Sequence, residues 1–481
     1  MHCRSLAVVL ATGALLAGCD GAPRRSFDRV VIVTFDTTRA DHLGAYGYPR
    51  ATTPFFDALA ARGVLFERAI APNPSTAPSH ATMFTGLYPL EHGIGRNGIR
   101  LPEAIPTAAE LFRDAGYATA GFVSFRLLVR SGLERGFDFV AFADEPPEGG
   151  GPSWRRADET TADAIAWLRG QPRDRPFFLW VHYYDPHTPY DPPAAALAAV
   201  RRESGPISTI QQRLLGAHGI RLGAYGGDLG RMLERVDLYD GELRAMDDGL
   251  RRLYQAFVGL GLAGGSVWVM VGDHGEGLGS HDWLQHGVRI YQEQMRVPLL
   301  VHASDGVWPA RRVEEIVELV DLLPTLAAFA GREPPHAKRG HSLLPALAGE
   351  PAQPGDREAL VQRRTFGSPR PEPSARFVGE VEAWNPGGRL EVAERWEAGE
   401  RLALIGRRWK YLHWTAGPAE LYDLENDPRE NRNLVAERPE IVAEMRERLL
   451  ARARTLRSRQ QAGETVDEHT LEVLRSLGYI Q

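Results

Sequence analysis

The sequence predicts an α/β fold: a large, mostly parallel sheet flanked by helices, followed by a smaller C-terminal α+β subdomain. Three observations predict it. Short uncharged runs rich in Val, Ile and Phe recur, such as RVVIVTF and SVWVMVG, as expected of strands buried on both faces. Helix-length amphipathic segments separate these runs, and parallel strands need such crossovers. The 481 residues are 43% hydrophobic, enough for one large domain plus a smaller one. A Pro-, Gly- and Arg-rich stretch over 351–388 places the break near residue 350.

The elements follow in order. Residues 5–18 (SLAVVLATGALLAG) are uncharged and follow Arg4; the run is too short to span a bilayer core of about 30 Å and suits a signal-peptide core. Residues 1–18 are therefore read as a signal peptide and 19–27 as a tether. Arg29–Phe35 is the first buried strand. Thr53 before Pro54 reads as the N-cap of a helix that Gly63 ends. Thr107 and Glu110 form a capping box for a helix ending at Gly116. A strand at Ala118–Val123 and a loop over 144–153 come next, then a helix at Ala157–Arg169 and a strand at Phe177–Tyr183. A long helical stretch over 229–260 leads to the strand Ser266–Gly272. These place the main domain at 28–350. The C-terminal subdomain, 351–481, holds short strands at Arg401–Ile405 and 409–413 and a charged helix over 439–457.

Composition excludes several classes. A net charge of −6 leaves no broadly basic surface, so no nucleic-acid partner is expected. Only Lys338 and Lys410 are lysines among 56 basic residues. The two cysteines are Cys3 and Cys19, so the body has no disulfide, thiolate metal site or cysteine nucleophile.

In an open parallel sheet, ligands gather at the carboxyl ends of the strands. Three strands here end in polar residues: Asp36 after the first, Asp185 and His187 after another, Asp273, His274 and Glu276 after a third. Each carboxylate alone suits a turn or cap. Together, carboxylates and imidazoles from separate strands suit a divalent cation of the Zn²⁺, Ca²⁺ or Mn²⁺ kind.

Several stretches carry a resemblance. They are FDTTRADHLGAYGY (35–48), STAPSHATMFTGLYP (75–89), HYYDPHTPYDPP (182–193), YDGELRAMDD (239–248), VGDHGEGLGSHD (271–282), RVPLLV (296–301), VDLLPTLAAFAG (320–331), GHSLLPAL (340–347) and ELYDLENDP (420–428). In this order the chain resembles the sulfatase family of the alkaline phosphatase superfamily. The resemblance implies an alkaline-phosphatase-like sheet, ester hydrolysis and a divalent metal held by Asp36, Asp273 and His274. Thr37 stands where sulfatases often carry a second acidic residue. The family nucleophile position falls on Thr76, in Thr76-Ala77-Pro78-Ser79-His80, with His80 replacing the usual arginine. A Thr before a helix also suits an N-cap.

The resemblance further implies that His187 contacts the anion and that His286 lies near the place of an anion-binding lysine. The lysine of the usual Gly-Lys-x-His element is missing. Sulfatases oxidise Cys or Ser at the nucleophile position to formylglycine; threonine carries a Cβ methyl, so its oxidation gives a ketone and the aldehyde is excluded. An unmodified Thr can still attack beside a dication. Asp185 and His281 are candidates for a second cation, and Arg39 and Asp41 either orient the first metal loop or pair to shape the turn.

Leu16-Ala17-Gly18-Cys19 resembles a bacterial lipobox, with Cys19 as the lipidated residue. The expectation is an exported hydrolase, lipid-anchored on the periplasmic side of the bacterial cell envelope. It would act on a small-molecule, glycan or lipid ester of sulfate or phosphate, with Thr76, His80, His187 and His286 as catalytic residues. A phospho-headgroup transferase and a non-catalytic binding lipoprotein of the same fold are the alternatives.

Overall fold

A computed structural model describes residues 27–143, 154–203, 214–216, 219–335, 339–352, 356–363, 400–415 and 417–456. Cys19, Lys338, Trp384 and Trp396 lie outside the described residues, as do the signal and tether segments before residue 27. The main sheet has eight strands: β1 (Arg29–Phe35), β2 (Val64–Ile70), β3 (Ala118–Val123), β4 (Phe139–Phe142), β5 (Phe177–Tyr183), β6 (Ser266–Gly272), β7 (Arg296–Ala303) and β8 (Arg311–Glu318). They lie in the order β4-β3-β5-β1-β6-β7-β2-β8. Only the β6–β7 and β2–β7 pairings are antiparallel. The four strands read from sequence as the heart of the sheet are therefore parallel neighbours, β3-β5-β1-β6.

Both faces of β1 are buried, which is why its sequence does not alternate. Val30 and Ile32 join one core layer with Ala81 and Phe84 of α2 (Thr76–Thr85), Phe112 of α3 (Ala108–Asp114) and Leu326 of α6 (Leu322–Phe329). Val31, Val33 and Phe35 face the opposite layer, with Phe56 of α1 (Pro54–Ala60), Ala164 of α4 (Ala157–Arg169) and Leu243 of α5 (Leu229–Gly259). The Thr107 capping box forms as expected: its Oγ1 accepts from Glu110 N at 3.3 Å, and Glu110 Oε2 accepts from Thr107 N at 2.8 Å. Helix α1 ends at Ala60 rather than Gly63, and the Thr53 hydroxyl donates to the Asp57 carboxylate at 3.2 Å rather than capping the backbone.

The C-terminal unit is an antiparallel sheet of β9 (Ala359–Arg363), β10 (Arg401–Ile405), β11 (Trp409–Trp414) and β12 (Glu420–Asp423), covered by α7 (Pro439–Arg454). One face packs Leu402, Leu404 and Leu421 on Met445, Leu449 and Ala453 of that helix. The other face sends Val361, Ala403 and Ile405 into the core layer of the main sheet. The two sheets thus share one apolar interior.

Candidate active site

Topology assembles the site before any side chain is considered. β1 lies between β5 and β6, with Phe35 in register with Tyr183 and with Gly272. The next residue along each strand is therefore delivered to one place, strands being about 4.8 Å apart. Asp36 N donates to Tyr183 O at 2.9 Å and Asp273 N to Phe35 O at 3.2 Å, closing the strand ends together. Asp36, Asp273 and His274 are fully buried, and their donor atoms lie within 4.8 Å of one another.

Asp273 Oδ1 accepts from Thr37 N at 3.1 Å and from His274 N at 2.7 Å. Thr37 reaches it from a left-handed backbone, φ 46°. Asp273 Oδ2 and both oxygens of Asp36 are buried without a hydrogen-bond partner. His274 Nδ1–H donates to Gly275 O at 2.9 Å, which leaves the Nε2 lone pair facing Asp273 Oδ2 at 3.5 Å and Asp36 Oδ1 at 3.9 Å. Burial pushes the Asp36 carboxyl up; burial and the neighbouring Asp36 charge push Asp273 well up. Burial likewise pulls His274 well down. Buried, unpartnered acceptors of this kind are costly alone. Two carboxylates and one imidazole fit a divalent cation in number and donor type. Gly275 permits the turn: a Cβ there would lie 1.9 Å from Glu293 O.

Thr76 opens α2 and is fully buried. Ser75, not Thr76, occupies the N-cap position, so the Thr76 hydroxyl is free of the capping role that its sequence context allowed. Its Oγ1 lies 3.3 Å from His274 Nε2. The Ala77 N–H in the same turn is taken by Asn97 Oδ1 at 2.8 Å. His80, one turn on, corrects an expectation. Its Nδ1–H donates to Thr76 O at 2.9 Å and its Nε2 accepts from Thr34 Oγ1 at 3.0 Å, while Trp180 Nε1–H donates to that same oxygen at 3.0 Å. Burial lowers its pKa to about 3. His80 is a neutral, fully engaged positioning residue, and it does not stand in for an arginine charge.

His187 and His286 do come to the site. The three rings form a row, with His274 and His286 centroids 4.7 Å apart and His286 and His187 4.8 Å apart. His187 stacks on Tyr184 at 4.3 Å, and its Nδ1–H donates to Thr188 O at 2.5 Å. His286 Nδ1 faces both oxygens of buried Glu276 at 3.3 Å. Burial lowers an imidazole, but the Glu276 carboxylate outweighs it, so His286 sits above its ordinary value and Glu276 below its own. Arg39 is bidentate to Asp41, at 2.9 and 3.0 Å. Its Nη1 also donates to Glu276 O, Gly277 O and Ser280 Oγ at 3.0–3.2 Å. The pair thus shapes its own turn and holds the loop after β6.

Asp185 and His281 are not brought together. Both Asp185 oxygens accept from Ala157 N, at 3.1 and 2.9 Å, so this carboxylate caps α4. His281 has both ring nitrogens engaged, with Glu293 Oε1 at 2.9 Å and Glu430 O at 3.1 Å, and stacks on Tyr291. Lys410 is buried against Glu430 Oε1 at 2.6 Å and Ile290 O at 2.7 Å. Sequence reading missed two residues: Glu276, although it was noted at a strand end, and His182. The latter sits in β5, fully buried, with neither nitrogen hydrogen-bonded and Nε2 3.4 Å from Asp36 Oδ2. Its signal was an imidazole inside an otherwise apolar strand.

Comparison with known proteins agrees with this architecture. A family model described as Sulfatase matches residues 28–332. A Delta 4,5-hexuronate-2-O-sulfatase from Bacteroides thetaiotaomicron is 27% identical over 431 residues, covering 82% of this chain and 83% of that one. The multifunctional alkaline phosphatase superfamily protein PehA from Trinickia caryophylli is 26% identical over 488 residues, covering 85% and 91%. The crystal structure of a phosphonate monoester hydrolase of Agrobacterium radiobacter superposes with a TM-score of 0.70 at 23% identity, covering 90% of this chain and 96% of that one. With a family match over most of the chain and the fold in agreement, the chain belongs to the sulfatase family and is a hydrolase of ester bonds.

Proposed function

We propose that this hydrolase cleaves sulfate or phosphate-type esters through unmodified Thr76 as nucleophile, and that it works as an exported lipoprotein anchored through Cys19. One observation carries the first part: the Thr76 hydroxyl points at His274 Nε2, 3.3 Å away, at the start of a helix. A helix N-terminus also favours an anion placed against it. A divalent cation at Asp36, Asp273 and His274 supplies positive charge beside the attacking hydroxyl and the attacked anion.

The chain's own residues do the rest. His80 holds the Thr76 carbonyl, fixing the first turn of α2. His286, whose pKa the Glu276 carboxylate raises, turns its Nε2 away from that carboxylate and, when protonated, offers a charged N–H to the anion. His187, with Nδ1 committed to Thr188 O, presents Nε2 toward the same space. Attack forms a Thr76 Oγ1–phosphorus or –sulfur bond as the bond to the departing oxygen breaks; Thr76 gives up its hydroxyl proton to water, and the departing oxygen takes a proton from His286. Water then cleaves this ester and frees Thr76.

Phosphorus is the favoured centre, because a Thr alkoxide lacks the second hydroxyl with which a formylglycine hydrate expels sulfate. The similarity to PehA and the likeness of fold to a phosphonate monoester hydrolase support that choice. The test is a cation-supplemented screen of aryl sulfates, phosphate mono- and diesters and phosphonates. Thr76→Val keeps the branched shape without the oxygen and is expected to lose activity by about 10²-fold or more. Thr76→Ser keeps the oxygen and retains much of it. A Val variant as active as wild type excludes Thr76 as nucleophile.

A further inference from the structure

We infer that Lys410 and Glu430 of the C-terminal unit are positioning residues for His286: they pin the loop after β6 on both sides of it, so that the smaller sheet completes the active site. Lys410 lies in β11, and Glu430 in the loop that follows β12. Both side chains are fully buried, with Lys410 Nζ 2.6 Å from Glu430 Oε1. A buried ion pair adds little stability over apolar residues of similar volume. What this one supplies is direction.

The pair reaches into the loop at three points. Lys410 Nζ donates to Ile290 O at 2.7 Å. Glu430 Oε2 accepts from Gln292 N at 2.6 Å, and Glu430 O accepts from His281 Nε2 at 3.1 Å. His286 lies between these points, five residues after His281 and four before Ile290. His281 also stacks on Tyr291, centroids 3.8 Å apart, and the Tyr291 hydroxyl donates to Glu420 Oε2 of β12 at 2.9 Å. The two ends of the segment are thus drawn together on the C-terminal sheet. From between them the His286 ring meets Glu276, His187 and His274.

The loop is one that needs holding. Leu278, His281 and Asp282 take left-handed φ values of 46°, 50° and 54°, which side-chain-bearing residues keep only where their surroundings over-determine them. Arg39 of the main domain holds the first part, at Glu276 O, Gly277 O and Ser280 Oγ. Lys410 and Glu430 hold the part that carries His286. The lysine is itself out of pattern in a chain with two lysines among 56 basic residues. A compact ammonium fits between a carbonyl and a carboxylate, where a guanidinium would present a planar fork.

The inference rests on the reading of His286 as the group that binds the anion and protonates the departing oxygen, and the test separates the two. Lys410→Met with Glu430→Gln removes both charges together and leaves neither buried alone. The probes are phenyl and 4-nitrophenyl phosphate, or the sulfates where the substrate screen selects sulfur. The double variant is expected to lower kcat/KM for the phenyl ester by up to about 10²-fold. The loss should be about tenfold smaller for the 4-nitrophenyl ester, whose oxygen leaves without a proton. On a His286→Gln background the same double change should add little, because the group it acts through is gone. Equal fold-losses on the two backgrounds overturn the positioning role alone, as does a folded double variant with wild-type kinetics. His286→Gln with wild-type kinetics overturns the reading of His286 and the inference with it. A further measurement needs neither a variant nor turnover. Amide exchange of wild type across a denaturant series should show residues 277–292 opening together with β11 and residues 427–431. A loop that opens well before β11 overturns the pin.

Discussion

Thr34 lies inside β1, and its hydroxyl accepts from Trp180 while donating to His80, each at 3.0 Å. Thr34→Val preserves shape but leaves an indole N–H and an imidazole nitrogen buried without partners, at about 1–3 kcal/mol each. It is expected to lower stability by a few kcal/mol in denaturant titration and to reduce kcat more than it changes KM, because His80 then holds Thr76 less firmly. Equal loss of stability with unchanged kcat would make the chain of bonds purely structural. Asp273→Asn tests the cation site from the opposite side. Asp36 and Asp273 are buried close together, and burial and the Asp36 charge raise the pKa of Asp273, so removing one charge should stabilise the metal-free protein. The same change should abolish the rise in melting temperature that added cation gives wild type. Calorimetry with and without chelator reads both signs. Asp36, Asp273 and His274 were legible because strand ends and motif coincide there. His182 was not, because an imidazole within FFLWVHY reads as core, and only the β1–β5 register places it against Asp36.

At the scale of elements, the parallel strands were legible because burial on both faces leaves continuous apolar runs. The edge was not. β8 reads RRVEEIVE, with Arg312, Glu314 and Glu315 exposed, and its register with β2 shifts between Phe66 and Arg68. Charges and irregular pairing are how edge strands avoid further pairing, and they erase the strand signal as well. That strand ends at Glu318, which joins the two sheets. Glu318 Oε2 accepts from Arg357 Nη2 at 2.8 Å and from Arg452 Nη2 of α7 at 2.9 Å, and Oε1 accepts from Leu360 N of β9 at 2.7 Å. Burial raises its pKa, but Arg452 and Arg357 outweigh burial and hold it below the ordinary 4.5. A depressed carboxylate contributes stability above its unfolded value and loses it as pH falls through the lower, folded value. Docking of the C-terminal unit is therefore expected to weaken below about pH 4.5, seen as faster amide exchange in β9 and α7. Glu318→Ala removes a buried acceptor from the partly buried Arg357, which keeps Asp321, and from the partly buried Arg452, and should cost about 1.5–3 kcal/mol at neutral pH. A wild-type exchange pattern unchanged down to pH 3 would assign the docking to apolar packing alone.

At the scale of the whole molecule, the described chain enters the fold at Phe27, whose N–H donates to Phe329 O at 3.2 Å and whose ring packs on Phe329 and Trp308. β1 then runs from Arg29 to Phe35 and delivers Asp36 at its far end. Seven residues of strand span about 23 Å, so the entry point and the site lie at opposite ends of the sheet's strands. Among the described residues, no helix is long and apolar enough to cross a membrane; the proposed reading attaches the chain through a lipid at Cys19. Seven residues, 20–26, separate that cysteine from Phe27, a reach of at most about 25 Å. On that proposal, a link this short joined at the end of β1 opposite Asp36 would keep the body close to the bilayer with the site turned outward. Two outcomes are expected of Cys19→Ser in the native host. Fractionation should move the protein from membrane to soluble fraction or leave it uncleaved, since the acyl chains supply the affinity. A cleaved, soluble form should hydrolyse small soluble esters with unchanged kcat/KM, because the anchor and the site share no residues. Membrane association persisting in a normally processed Ser variant would remove Cys19 as the anchor, and a fall in kcat/KM on release would place the membrane beside the site rather than across the sheet from it.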